Sequence, residues 1–204
     1  MVQEPVQHII RQYSLESGSL EIEYMEQYFD EFAAPKTAPE LHRRLQARDH
    51  LILISLAPSE EDEAHWVPVA FKVGHELRAP DQENEPDVCD LAQRLSRCVE
   101  FDHRRIFYSW LGGTRRQWRH QGHYRALTEQ QEEWAHRHGY RQFLVKTKNR
   151  FYGMRAALDH LQFDVLTFEA DPADNSNSKV YLSKQLSTDL IHGHSTSRLV
   201  THAY

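Results

Sequence analysis

Residues 107–124 decide the fold, and they read FYSWLGGTRRQWRHQGHY. The aromatic first part is typical of a β-strand that ends at a pair of glycines. The basic second part leads into residues 124–138, whose composition is helical and which Gly139 closes. Amides at the start of a helix point outward, and the helix dipole adds positive partial charge there. The sequence therefore predicts an anion site in this turn, unless the turn merely caps the helix.

Several residues of the turn suit a bound phosphate. Gly122 would allow a phosphate to approach the backbone closely, because glycine has no side chain. Three arginines would complement the negative charge: Arg115, Arg116 and Arg119. Trp118 and Tyr124 stand between the arginines, so a nucleic acid that stacks its bases on aromatic rings is an alternative ligand.

The composition sets the class of protein. The chain has 204 residues, of which 40% are hydrophobic and 11% aromatic, so it can bury a core and is not disordered throughout. The longest aliphatic run, residues 51–54, is far shorter than the ~18 residues of a membrane span. The first residues lack a signal-peptide pattern, and two cysteines, Cys89 and Cys98, are too few for a disulfide framework. We expect a single cytoplasmic domain over 1–204, with its core at about 20–186 and a flexible tail at 187–204.

The charge is unevenly distributed. The formal net charge is −6, from 24 basic and 30 acidic residues, and it argues against a nucleic-acid partner. Acidic residues concentrate at 59–64 and 81–90, where they are solvated loops or attract a cationic amine. Histidines at 136, 138, 192, 194 and 202 have no accompanying cysteine pair or His-Glu-x-x-His frame, so we predict no metal site.

The hydrophobic pattern predicts a mixed α/β domain around one sheet. Before residue 105 we expect a helix at Leu20–Phe32, a short helix opened by the capping box of Thr37 and Glu40, a hairpin of strands Leu51–Leu56 and Val67–Leu77, and a helix at Val88–Val99. From residue 105 we expect a strand at Arg105–Leu111, the helix at Tyr124–His138, a strand at Gln142–Thr147, a helix over Phe151–Leu161, and strands at Asp164–Glu169 and Lys179–Leu186.

Two segments resemble a known family. Residues 119–124 (RHQGHY) are similar to the pyrophosphate loop of the GCN5-related N-acetyltransferases (GNAT), usually Arg/Gln-x-x-Gly-x-Gly/Ala. Residues 146–151 (KTKNRF), followed by Met154, Asp159 and Gln162-Phe163, look like the family pattern Thr-x-Asn-x-Phe-x-x-Met-x-x-x-Asn-x-x-x-Gly-Phe. The resemblance is specific over about 105–165. It implies a GNAT-like α/β fold: a mixed, mostly antiparallel central sheet flanked by helices, with a splayed parallel strand pair at 107–113 and 142–147.

The resemblance also implies an activity. The family transfers an acyl group from acyl-coenzyme A to an amine by direct attack in a ternary complex, so we expect an N-acyltransferase that uses acetyl-coenzyme A, needs no metal and acetylates a primary amine of a small molecule or protein. A backbone amide near Leu111 would stabilise the oxyanion. Dimers are common among similar proteins, so the resemblance admits a homodimer. The implied coenzyme A residues are Leu111, Gly112, Gly113, Thr114, Arg119, His120, Gln121, Gly122, His123, Tyr124 and Asn149.

The departures from the family pattern concern the loop and the catalytic groups. Tyr124 stands where the loop has a small residue, and His123 stands where it has an aliphatic one. Many members carry a tyrosine acid five residues before the phenylalanine of Gly-Phe, and Leu158 occupies that position here. Topology offers Tyr108 and Glu76 as catalytic base or acid, with His75 as a third candidate. A GNAT-like acyl-coenzyme A sensor that has lost catalysis is therefore the alternative function.

Overall fold

The structure, a computed structural model, describes residues 8–15, 36–59 and 64–201. Its strands are β1 (Ile9–Tyr13), β2 (His50–Pro58), β3 (Trp66–Leu77), β4 (Ile106–Thr114), β5 (Gln142–Lys148), β6 (Asp164–Glu169) and β7 (Lys179–Gln185). Its α-helices are α1 (Ala38–Leu45), α2 (Pro86–Leu95), α3 (His123–Arg137), α4 (Tyr152–His160) and α5 (Thr188–Thr201). The described strands form one sheet in the order β1-β2-β3-β4-β5-β7-β6. The predicted helix at Leu20–Phe32 lies outside the described residues.

The chain divides into two compact units. Unit 1 comprises Met1–His75 and Leu111–Thr128, and unit 2 comprises Glu76–Trp110 and Glu129–Tyr204. The single domain that the composition predicts stays a prediction. Among the described residues, none of the helices combines the length with the apolar character that a membrane span requires.

Unit 1 is built on the antiparallel strands β1, β2 and β3. The hairpin of β2 and β3 pairs His50 with His75 and Pro58 with Trp66, which confirms the predicted hairpin. β1 was not predicted, because five residues with one apolar pair give little periodicity; it pairs with β2 from Ile9–Leu56 to Tyr13–Ile52. The capping box of Thr37 and Glu40 is present at the start of α1, which buries Leu41 and Leu45.

Unit 2 contains the parallel strand pair. β4 and β5 pair from Ile106–Gln142 to Ser109–Val145, and β7 continues the sheet antiparallel to β5. The pairing of β4 with β5 ends at Ser109, although β4 continues to Thr114 and β5 to Lys148. The parallel pair in a mostly antiparallel sheet confirms the predicted fold class.

Three larger differences separate the structure from the sequence prediction, and the other element boundaries shift by one or two residues. β4 runs through Gly112 and Gly113 to Thr114 instead of ending at the glycines, and α2 ends at Leu95. Residues after Ser187, expected to be a loose tail, contain the helix Thr188–Thr201. Its His194 is buried, and its Nε2 lies 3.1 Å from a carboxylate oxygen of Glu132, so the described part of this helix makes a specific polar contact.

Candidate coenzyme A site

The loop that follows β4 is anchored to the sheet of unit 1. The Arg115 amide donates to the Val69 carbonyl at 2.9 Å, which ties the strand end to β3. One turn of 3₁₀-helix, Arg116–Trp118, then buries the indole of Trp118 against Ala57 and Val69. This anchoring fixes the point at which the four residues 119–122 leave the sheet.

The loop itself contains two left-handed residues. His120 has φ 66° and Gly122 has φ 85°, and alternation of left-handed residues with ordinary ones turns successive amides toward one side. A Cβ placed on Gly122 would meet no atom within 4 Å, so the glycine is required by its backbone conformation and the space beside it is open. Open space beside a left-handed glycine fits an anion that approaches the backbone.

The loop leads directly into α3. The first intrahelical hydrogen bond runs from the Ala126 amide to the Gly122 carbonyl at 3.0 Å. The amides that precede Ala126 in the first turn therefore have no acceptor within the helix. Arg119 is exposed, and its Nε donates to the Thr114 carbonyl at 3.1 Å, which holds its guanidinium beside the loop. Helix dipole, amides and arginine together make this part of unit 1 electropositive.

His123, the first residue of α3, points into the sheet. It is 1% exposed, and its Nδ1 lies 3.0 Å from Oγ of Ser55 on β2. The rings of His8 and Trp118 pack against it at 5.1 and 6.1 Å, and its Nε2 has no hydrogen-bond partner among the described residues. Burial, with a smaller contribution from His8, lowers its pKa to about 4, so the imidazole is neutral at pH 7. A neutral ring thus occupies the aliphatic position of the family loop.

Tyr124, the bulky residue of the loop pattern, lies over a lysine. Lys72 of β3 is buried, and its ammonium lies 4.3 Å from the centre of the Tyr124 ring. Lys72 Nζ also donates to Oγ1 of Thr128, whose hydroxyl donates to the Tyr124 carbonyl at 2.7 Å. The burial of Lys72 was not predicted, because the alternating sequence of β3 indicates a strand with only one buried face. In the structure, every residue from Val69 to His75 is buried.

The glycines of β4 bring the strand close to that lysine. A Cβ on Gly112 would lie 3.3 Å from Cγ of Lys72 and 3.4 Å from the Phe71 carbonyl oxygen. Leu111, Gly113 and Thr114 are partly exposed beside it. Of the coenzyme A residues that the resemblance implies, unit 1 contains ten as one continuous strand, loop and helix start: 111–114 and 119–124.

Asn149, the remaining predicted coenzyme A residue, belongs to unit 2 and follows β5. Its amide donates to the Ser178 carbonyl at 2.8 Å, its Nδ2 donates to the Asn175 carbonyl at 3.2 Å, and its Oδ1 accepts from Arg155. These bonds tie the end of β5 to the 175–178 turn. Its cofactor role stays a prediction.

The catalytic candidates lie in ordered surroundings. Tyr108 is 1% exposed and packs in the core of unit 2 with Leu144 and Tyr181. The Glu76 carboxylate forms ion pairs with Arg78 at 2.9 Å and Arg105 at 3.1 Å, next to the start of β4. These contacts favour structural roles for both residues, and their catalytic roles stay predictions.

His75, the third candidate, is fully buried in unit 1. Its Nε2 accepts from Nε of Arg44 at 3.0 Å, and a lone pair held by a permanent cation is a poor proton acceptor. It lies six positions after Val69, where the loop is anchored, which corresponds to about 20 Å along an extended strand. No group of three or more potential metal ligands occurs among the described residues.

Several solved structures share the fold of this chain. NAA60 of Arabidopsis thaliana in complex with acetyl-coenzyme A superposes with a TM-score of 0.66 at 10% identity, covering 88% of this chain and 99% of that one. The NatC complex bound to Gag peptide and coenzyme A gives 0.64 at 9% identity, with 89% and 99% covered. The ribosomal-protein-S18-alanine N-acetyltransferase of Escherichia coli gives 0.56 at 14% identity, with 88% and 96% covered.

Sequence comparison adds no relative to this set. No protein-family model matches the chain, and no curated protein matches it in sequence. The structural likeness, which spans almost nine tenths of the chain, nevertheless confirms the predicted GNAT fold.

Proposed function

We propose that the protein is an acyl-coenzyme A-dependent N-acyltransferase that moves an acetyl group from acetyl-coenzyme A to a primary amine. The observation that carries the proposal is the β4–loop–α3 connection of unit 1, with left-handed backbone at His120 and Gly122 and open space beside the glycine. NAA60 and the NatC complex, which share the fold, are complexes with acetyl-coenzyme A and with coenzyme A. The diphosphate would lie on the amides of residues 119–124.

Acetyl transfer by direct attack needs few groups from the protein. An ammonium substrate first gives one proton to a base, and the neutral amine nitrogen then bonds to the thioester carbonyl carbon. The carbon–sulfur bond breaks, and the second proton that the nitrogen loses goes to the departing thiolate. A backbone amide near Leu111 would stabilise the oxyanion of the intermediate. Tyr108 and Glu76 remain the proposed proton carriers, and the acceptor amine is proposed only as a class.

The proposal is tested with a matched pair of glycines. Gly122 and Gly153 would both have open space around an added Cβ, but only Gly122 is left-handed. Gly122→Ala therefore strains the loop and places a methyl group where the phosphate would approach, and we expect it to weaken acetyl-coenzyme A binding about tenfold, measured by calorimetry. Gly153→Ala, in α4, should leave the affinity unchanged. If the wild-type protein binds no acetyl-coenzyme A, the proposal is wrong.

A second candidate, an acyl-coenzyme A sensor without catalysis, rests on Leu158. This residue is fully buried in α4, so the position that carries a tyrosine acid in many family members offers no proton donor here. Thermal stabilisation by acetyl-coenzyme A without thiol release across peptides, amino acids, polyamines and aminoglycosides would favour the sensor. Thiol release with any amine of that panel would favour the enzyme.

A further inference from the structure

The bulky residue at position 124 needs a physical explanation. The family pattern has a small residue two positions after the loop glycine, where the diphosphate would lie against the first turn of the helix. A tyrosine ring free to swing over that turn would compete with the phosphate for the same amides. The described contacts of Tyr124 indicate how the chain avoids this competition.

The Tyr124 ring is held on the sheet side of α3. The ammonium of Lys72 lies 4.3 Å from the ring centre, within the range of a cation–π interaction. Lys72 belongs to β3 and is 2% exposed, so its ammonium can attract the ring only toward the interior of unit 1. Such an interaction strengthens when the cation is shielded from water.

The lysine is itself held by contacts with two further residues, Thr128 and Gly112. Its Nζ donates to Thr128, one turn after Tyr124, and that hydroxyl donates in turn to the Tyr124 carbonyl. Its Cγ lies against Gly112, where a Cβ would be only 3.3 Å away. Lys72 therefore contacts both β4 and the first two turns of α3, the two elements that flank the loop.

We propose that Lys72 is a positioning residue, which draws the Tyr124 ring off the first turn of α3 and so keeps the loop amides accessible to the coenzyme A diphosphate. The inference rests on the proposed function. It assigns a specific task to a buried charge outside the family pattern, and it explains why a large residue is tolerated at position 124.

The test is a double-mutant cycle with coenzyme A as the probe and calorimetry as the measurement. Lys72→Met keeps an unbranched side chain that is one atom shorter and removes the charge, and we expect it to weaken coenzyme A binding about tenfold. Because a freed ring causes this loss, Lys72→Met/Tyr124→Ala should recover affinity relative to Lys72→Met. Lys36→Met removes one positive charge from an ion pair with Glu40 of α1 and should leave the affinity unchanged. Circular dichroism verifies that each variant is folded.

Each other outcome overturns the inference in a distinguishable way. Unchanged affinity in Lys72→Met refutes the positioning role and leaves the proposed function intact. Loss without recovery in the double variant means that Lys72 acts through its charge, not through the ring. Binding by Tyr124→Ala but not by the wild-type protein means that the ring covers the loop despite Lys72. If neither wild type nor any variant binds coenzyme A, the proposed function fails, and the inference fails with it.

Discussion

The two ends of α3 are held by different kinds of polar contact. At its start, in unit 1, a neutral His123 faces Ser55, and its Nε2 has no partner among the described residues. In its second half, in unit 2, Glu132 accepts from Lys184 at 2.9 and 3.2 Å and pairs with His194 at 3.1 Å. The side chains of Glu132 and Lys184 are 0% and 5% exposed.

The difference indicates which end is built for stability. In the ion cluster, the buried ion pair of Glu132 and Lys184 and the contact with His194 satisfy both carboxylate oxygens. Removal of one partner from such a buried ion pair is strongly destabilising. The loop end instead contains two left-handed residues, His120 and Gly122, directly before a buried neutral histidine. Residues held in unusual backbone conformations concentrate where a protein binds ligands. The start of α3 is therefore the end suited to ligand binding.

The largest expected effect comes from breaking the ion cluster. Glu132→Gln preserves the shape of the side chain but leaves the Lys184 ammonium buried without a counter-charge. We expect it to lower the free energy of unfolding by about 3–5 kcal/mol, measured by urea denaturation at pH 7. His194 would lose the same partner, so α5 should exchange its amide hydrogens faster.

An exposed ion pair provides the control for this variant. Asp90 and Arg94 of α2 lie 2.8 Å apart with side chains 58% and 44% exposed, and Asp90→Asn should lower the free energy of unfolding by no more than about 1 kcal/mol. A loss of similar size in both variants would show that burial of the cluster does not determine its strength.

The next effect concerns the neutral histidine at the start of α3. Its pKa in the folded protein is about 4 and its ordinary value is about 6.5, so between these values the unfolded chain binds the proton more readily. His123 makes its full contribution to the free energy of unfolding above pH 6.5, and this contribution is lost as the pH falls toward 4. The loss amounts to about 3 kcal/mol. His123→Leu should therefore flatten the pH dependence by that amount.

Urea titrations at pH 7, 5.5 and 4 measure this change. His65, which is exposed, offers a matched substitution, and His65→Leu should leave the pH dependence as it is in the wild type. Should His123→Leu retain the wild-type slope, the acid sensitivity belongs to another group, and the buried neutral ring is not its source.

The sequence predicted those features of the fold that depend on the local backbone conformation. The loop glycine, the capping box of α1 and Gly139, which closes α3 with φ 83°, each follow from a backbone requirement that one residue type meets. The loop at residues 119–124 was predicted in the same way, because its residue types are those that the backbone of such a loop requires. Recognition of this kind needs no knowledge of distant contacts.

The contacts that sequence reasoning missed all join residues far apart in the chain. Lys72 lies 56 positions from Thr128, and Lys184 lies 52 positions from Glu132. A charged residue within a strand or helix predicts solvent exposure when only its neighbours are considered, and it is buried here because a distant partner satisfies it. The same holds for a neutral pair, because Ser55 and His123 form a hydrogen bond although they lie 68 positions apart.

The smallest expected effect compares two left-handed residues. His120 in the loop has φ 66°, and Gln162, which occupies the glycine position after α4, has φ 62°. Glycine adopts this conformation without the Cβ penalty, so Gln162→Gly should raise the free energy of unfolding by up to about 1 kcal/mol without changing coenzyme A affinity. His120→Gly relieves the same backbone strain, but it also lets the unbound loop sample other conformations. We therefore expect His120→Gly to bind coenzyme A severalfold more weakly than the wild type, measured by calorimetry. Equal affinities of His120→Gly and Gln162→Gly would mean that the histidine does not preorganise the loop.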